Sequence, residues 1–229
     1  MQRPIRAVFF DAVGTLIHPE PSAAETYARV ARKHGSTQSV EEVAQRFAVA
    51  WQWQEWIDRQ NDHRTNEERE RQRWRAIVDE SLEVDDQEAC FTELWEHFSH
   101  PSAWRCEADA GNTIAALRQL GFVIGVASNF DARLHGVACG LPELEGIREV
   151  TISSEVGWKK PHPDFFRCLC AKVGMEPGEI LMVGDDLDND FQGARTAGLR
   201  ALLLDPWRRA EVAEEDRVER LLEVLQRLG

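Results

Sequence analysis

The chain has 229 residues, of which 43% are apolar and 29% charged, and its 27 basic and 40 acidic side chains give a net charge of −13. That length can bury a sizeable core, the composition excludes a disordered chain, and the charge disfavours nucleic acid and anionic membranes as partners. An anionic substrate would need a locally positive pocket or a metal ion.

The start, MQRPIRAVFFDAVGTL, has no leader cleavage site, and its apolar run stops at Asp11. No apolar run is long enough to cross a bilayer, so a cytoplasmic location is expected. Cys90, Cys106, Cys139, Cys168 and Cys170 are odd in number and irregularly spaced. They read as buried free thiols rather than as disulfides or a metal site.

In chain order, IRAVFF is the first predicted strand, and Asp11 follows it directly. From about His18 to about Arg105 no strand is predicted. Helical patterns run through SAAETYARVARKHG, VEEVAQRFAVAWQWQEWI, NEERERQRWRAIVDESL and DQEACFTELWEHF. Gly35 reads as a helix stop, and Thr65 with Glu68 as a capping box. This all-helical insertion holds Trp51, Trp53, Trp56, Trp74, Trp95 and Trp104, which read first as packing core. The alternative is that one or two of them line a substrate pocket. Arg69, Arg71, Arg73 and Arg75 read as a solvated face, with Glu67 and Arg71 paired at i,i+4.

After the insertion, GFVIGVAS, REVTIS, EILMVG and LRALLL are predicted strands. Helices are predicted before Gly121, over Ala132 to Ala138, over Pro163 to Val173 and over Asp190 to Ala197. Strands alternating with helices predict an α/β fold with a Rossmann-like parallel sheet core. The last segment, DRVERLLEVLQRL, is predicted as an amphipathic helix with Val218, Leu221, Leu222, Leu225 and Leu228 on one face.

Ligands bind open parallel sheets at the carboxyl ends of the strands. Those ends carry Asp11, then Ser128-Asn129, then Lys160, then the acidic run from Asp185 to Asp190. A carboxylate can be a nucleophile, and a hydroxyl and an ammonium can hold phosphoryl oxygens. Crowded carboxylates repel by about 4 kcal/mol per pair at 4 Å and an effective dielectric near 20. A hard cation relieves that repulsion, and oxygen ligands with phosphate suit Mg²⁺.

VFFDAVGTL, GVASNF, KKPHPDFF and VGDDLDND, in this order, resemble the four motifs of the haloacid dehalogenase-like (HAD) hydrolase superfamily. The arrangement is that of subfamily I, with an inserted all-helical cap. DAVGTL, SNFDARL and GWKKPHP look most like the subgroup named for a rhythmically expressed protein. The resemblance implies a HAD-like core over residues 1–17 and 106–229 and a cap over 18–105. It implies hinges near Leu16–Pro21 and Ser102–Cys106, where Pro19, Pro21 and Pro101 break helices.

The resemblance also implies roles. Asp11 matches the nucleophile, and the backbone carbonyl of Val13 a metal ligand. Ser128 matches the phosphate-binding hydroxyl, with Asn129 beside it, and Lys160 the lysine that neutralises nucleophile and phosphoryl group. Asp185 matches the acidic metal ligand. Asp190 matches a second acid that binds metal or orients Lys160.

Val13 departs from the pattern, because phosphatases of this family usually carry a second, proton-transferring aspartate there. General acid–base catalysis contributes about 10²–10⁴-fold. Slow turnover, a different acid such as His18 or Glu20, a good leaving group, or other chemistry all remain open at this stage. The expected activity is Mg²⁺-dependent removal of phosphate from a small metabolite through an aspartyl phosphate. A 2-haloacid dehalogenase-type reaction is the first alternative, and Asp185 argues against it. A phosphonatase-type reaction is the second and would draw on Lys33. A weakly active binding or regulatory protein is the third.

Overall fold

The computed structural model describes residues 4–228; the outermost residues of the expected core, 1–3 and 229, lie outside them. Among the described residues eight strands form: β1 (Ala7–Phe10), β2 (Ile17–Pro19), β3 (Trp104–Cys106), β4 (Val123–Ser128), β5 (Glu149–Ile152), β6 (Ile180–Gly184), β7 (Arg200–Leu204) and β8 (Arg217–Val218). Six make one sheet in the order β5-β4-β1-β6-β7-β8, with every pairing parallel. All five predicted strands are in it.

The strands read as unbroken apolar runs because both faces of the sheet are covered. Alternate residues serve opposite faces. Val8, Phe10, Val126 and Val183 pack on one side with Ile114 and Leu117 of α5 (Ala110–Gln119) and Leu134 of α6 (Arg133–Cys139). Phe9 and Met182 pack on the other side with Phe165, Phe166 and Leu169 of a third helix, Pro163–Val173. Strand order reverses about β1, so a crevice opens where β1 and β6 end side by side, the usual ligand position in such sheets.

The region between β2 and β3 folds as four helices: α1 (Ala23–Lys33), α2 (Val40–Gln60), α3 (Glu67–Ser81) and α4 (Gln87–His97). Ser22 with Glu25, and Ser39 with Glu42, form capping boxes that start α1 and α2. Gly35, at φ +91°, lies just past the end of α1. These helices bury their own apolar cluster around Tyr27, Val30, Val43, Val78, Leu82 and Phe91.

Several expectations need correction. The chain entering and leaving the four helices is not strandless: β2 and β3 pair as an antiparallel ribbon. The cap of α3 is Asn66, which accepts from Arg69 N at 2.8 Å, while Thr65 Oγ1 donates to Glu70 at 2.6 Å. Glu67 does not pair with Arg71; it takes Ala132 N at 3.0 Å and the Ser154 hydroxyl.

The last segment is not an α-helix. Arg217 and Val218 extend the sheet beside β7, and Leu221–Arg227 forms 3₁₀ turns against α5. An open sheet edge competes for these residues, since Asp205 N donates to Val218 O at 2.9 Å. Of the expected stripe Val218 and Leu221 are buried and Leu222, Leu225 and Leu228 half-buried, while Val224, outside it, is fully buried, because the change of helical pitch rotates different side chains inward.

Candidate active site

Asp11 follows β1, and its N–H donates to Val183 O at 2.9 Å, carrying the ladder one residue past the strand. Lys160 reaches the same point from the loop after β5. Its Nζ donates to Asp11 Oδ1 at 2.7 Å, Asp190 Oδ1 at 2.6 Å and Ala127 O at 2.7 Å. Burial alone would lower the Lys160 pKa, but Asp11 and Asp190 outweigh it and keep the ammonium charged.

Two glycines exist for this cluster. A Cβ on Gly14, already at φ +96°, would lie 2.4 Å from Asp185 Oδ2, and one on Gly184 would lie 2.1 Å from Asp190 Oδ2. The Gly-Thr turn after the first strand thus lets Asp185 approach. Thr15 Oγ1 then donates to Asp185 Oδ1 at 2.8 Å.

Asp190 sits within a π-helical turn, Leu187–Gln192, a distortion frequent at functional sites. Asp186 starts that turn by accepting from Asp188 N and Asn189 N at 2.9 and 2.8 Å.

Asp11, Asp185 and Asp190 offer oxygens that all lie within 4.8 Å of one another. Burial, then the charge of Asp11, raises the Asp185 pKa. Burial pushes Asp190 up to about 7, with Lys160 pulling against it. A cavity of about 840 Å³ opens over the cluster, lined by six carboxylates and by Arg59, Arg73, Lys159 and Lys160. One divalent cation would balance that excess of two negative charges. Hard oxygen donors at this spacing fit Mg²⁺.

Ser128 is buried at the end of β4 and lines this cavity. Asn129 clamps Lys160 from both sides: its Oδ1 accepts Lys160 N at 2.7 Å and its Nδ2 donates to Lys160 O at 2.9 Å. Val13 lies on the cavity wall, 37% exposed. The structure therefore gathers Asp11, Val13, Ser128, Asn129, Lys160, Asp185 and Asp190 at one place.

It does not bring in the other candidates. His18 pairs with Glu107 at 2.9 Å and Glu20 with Arg105 at 3.2 Å, both beside the ribbon. Lys33 pairs with Glu93 and lines neither this cavity nor the one beside it.

Sequence reading missed one group. Asp58 of α2 is buried, with Oδ2 at 2.5 Å from Lys159 Nζ and 3.1 Å from Arg73 Nε, and Oδ1 at 2.6 Å from Arg69 Nη2. Glu55 pairs with Arg73 and lies 3.3 Å from Lys159 Nζ. Arg69 and Arg73 are thus not a solvated face. The network ties α2 and α3 to the residue before Lys160. Burial alone would raise the Asp58 pKa, but Lys159 and Arg73 more than reverse it and hold the carboxyl below its ordinary value.

Asp58→Asn leaves Lys159 and Arg73 buried with only Glu55 for compensation. A loss of about 3 kcal/mol is expected, the low end for breaking a buried pair, read as a drop in melting temperature of roughly 6–12 °C. A depressed acid stabilises above its unfolded pKa, and that contribution fades as pH falls through the folded value. The gap between wild type and variant should therefore be full at neutral pH and shrink below about pH 4. Melting curves from pH 3 to 7 check both; a pH-independent gap would refute the assignment.

The family model of haloacid dehalogenase-like hydrolases matches residues 5–198. The chain belongs to this family. It is 31% identical to human haloacid dehalogenase-like hydrolase domain-containing protein 3 over 236 positions, spanning 98% of this chain and 94% of the human one. A phosphoserine phosphatase from Thermus thermophilus is 45% identical over 100 residues, 37% of this chain and 40% of that protein. Among solved structures, an L-2-haloacid dehalogenase matches with a TM-score of 0.75 at 21% identity, covering 98% of each chain. That likeness shows the common HAD fold, and the reaction has to be argued from the site. Among the described residues no helix is long and apolar enough to cross a membrane.

Proposed function

We propose that this HAD hydrolase is a Mg²⁺-dependent phosphohydrolase acting on a small phosphorylated metabolite, with α1–α4, within residues 18–105, as a cap over a core of 1–17 and 106–229. The observation that carries this reading is the complete cluster of Asp11, Lys160, Asp185 and Asp190. Asp11 Oδ1 is held by Lys160, and Oδ2 is the oxygen that attacks phosphorus. The bond from phosphorus to the leaving oxygen breaks, giving an aspartyl phosphate and an alkoxide or aryloxide that takes its proton from water. A second water then attacks phosphorus, releases phosphate and restores the Asp11 carboxylate. Ser128 holds a phosphoryl oxygen. Lys160, whose three N–H groups are already donated to Asp11, Asp190 and Ala127 O, neutralises the nucleophile and the phosphoryl group by its charge, and Asn129 positions Lys160. Bound Mg²⁺, held by Asp11, Asp185, Asp190 and the Val13 carbonyl, would neutralise charge developing on the phosphoryl group.

A 2-haloacid dehalogenase-type reaction is favoured by one observation, the aliphatic side chain at Val13, since a departing halide needs no proton. Asp185 weighs against it, because a haloacid gives a second carboxylate crowded against Asp11 no cation to share. Phosphate release and halide release across a metabolite panel, with and without Mg²⁺, separate the two. Halide release without phosphate release would overturn our reading.

Asp185→Asn keeps the oxygen that accepts from Thr15 but removes one charge from the cluster. Mg²⁺ affinity is expected to fall at least about tenfold. The metal-free variant should melt a few degrees higher than wild type, roughly 2–4 °C per kcal/mol of relieved repulsion. Calorimetric titration and melting curves test this, and equal Mg²⁺ affinity in the two proteins would sink the ligand assignment.

A further inference from the structure

A second cavity, of about 470 Å³, lies between the four helices and the carboxyl end of the sheet. Its wall includes Tyr27, Phe47, Trp51, Trp74, Trp95 and Trp104. The rings brace one another: Tyr27 and Phe47 meet edge-on with centroids 5.2 Å apart, and Trp51 and Trp74 lie 5.7 Å apart. The tryptophans expected as packing core thus also enclose space.

The chamber adjoins the polar cavity, since Val13, Trp51, Gln52 and Asn129 line both. Arg133 is the one charged residue in its wall. That charge is already spent: Arg133 donates twice to fully buried Asp131, at 2.7 Å each, and its guanidinium lies 3.5 Å from the Trp95 ring centroid. A charged ligand body would find no counterion there, and an apolar one would find rings. The volume lies in the ordinary range for small-molecule sites, about 300–1,000 Å³.

We infer that this chamber binds the uncharged, aromatic-ring-sized body of the substrate whose phosphate sits at Asp11 and Lys160. The phosphate end of this inference rests on the phosphohydrolase reading; the chamber itself does not. Val13 is then a specificity residue at the seam. A carboxylate there would be stripped of water whenever an apolar body occupied the chamber, a cost that valine avoids.

The test uses the full chain and 2-(2-naphthyl)ethanol, the neutral body without phosphate. Tryptophan fluorescence and calorimetry should show saturable binding with a negative heat-capacity change. Ala48→Trp places an indole in the chamber wall from a solvent-exposed position of α2, and should weaken binding at least about tenfold. If that variant fails to fold, Ala23→Phe on α1 replaces it. No saturable binding, or equal affinity in wild type and variant, overturns the proposal.

Turnover supplies a second arm. Propyl and 2-(2-naphthyl)ethyl phosphate have similarly basic leaving groups, so their kcat/KM ratio reads the body alone. Burying about 100 Å² of ring at ~25 cal/mol/Å² predicts a ratio of roughly 50–100. A ratio near one overturns the proposal. Alcohol binding that Ala48→Trp weakens, with no hydrolysis of either ester, upholds the chamber and removes the phosphohydrolase reading instead.

Discussion

Asp11→Asn is expected to lower kcat/KM for every phosphate ester by at least about 10⁴-fold, the scale seen when a covalent nucleophile is removed. The amide keeps the shape of the carboxylate and an oxygen that can accept from Lys160. Lys160 also retains Asp190 at 2.6 Å and Ala127 O at 2.7 Å, so the variant should fold. It should even be less strained electrostatically, since Asp11 raises the pKa of both Asp185 and Asp190. The loss is therefore chemical, and a circular dichroism spectrum matching wild type would separate it from misfolding. Acid-quenched wild type should carry one phosphoryl group by intact mass during turnover, and the variant none. A variant retaining more than about one hundredth of wild-type activity would mean that another group attacks phosphorus.

The parallel core and its acidic crevice were legible because strand ends are local features. Asp11, Ser128 and Asp185 each stop or follow an apolar run, and a parallel sheet brings such ends together. Lys160 was harder to place from pattern alone, because a short helix, Ser153–Val156, and a loop separate it from β5. Burial of charge was not legible. Arg69, Arg71, Arg73 and Arg75 look like one basic run, yet residues two apart on a helix point different ways. Arg69 and Arg73 turn to Asp58, while Arg71 and Arg75 lie over Phe91. The available signal was that Glu55 and Asp58 on α2, and Arg69 and Arg73 on α3, each lie about one helical turn apart and so share a face. That Trp53 and Trp56 stack on the surface while Trp51 lines a cavity depends on helix rotation. Composition and spacing do not fix that rotation.

Val13→Asp is expected to act on one class of substrate far more than on another. Phenyl phosphate and 2-phenylethyl phosphate carry the same ring, so affinity of the ring for the apolar chamber is matched between them. They differ in the leaving oxygen: a phenoxide departs without help, whereas an alkoxide needs a proton. Wild type, with Val13 in place of a proton donor, should therefore strongly prefer the phenyl ester. An aspartate at this position would stand near Asp11 and Asp185 and beside apolar rings. Both influences raise its pKa and favour the protonated form that an acid catalyst requires. The new acid could return up to about 10²–10⁴-fold on the alkyl ester, or roughly 3–5 kcal/mol of barrier, and little on the phenyl ester. The gain will be smaller if the carboxyl sits off line from the leaving oxygen. The same substitution places a carboxyl at the seam with the chamber, so KM for both esters should rise together. The measurement is kcat and KM for both esters in both proteins. If wild type already cleaves the alkyl ester as fast as the phenyl ester, a residue other than the one at position 13 delivers the proton. Glu55 and His63, which line the polar cavity from α2 and from the loop after it, would then be the side chains to substitute next.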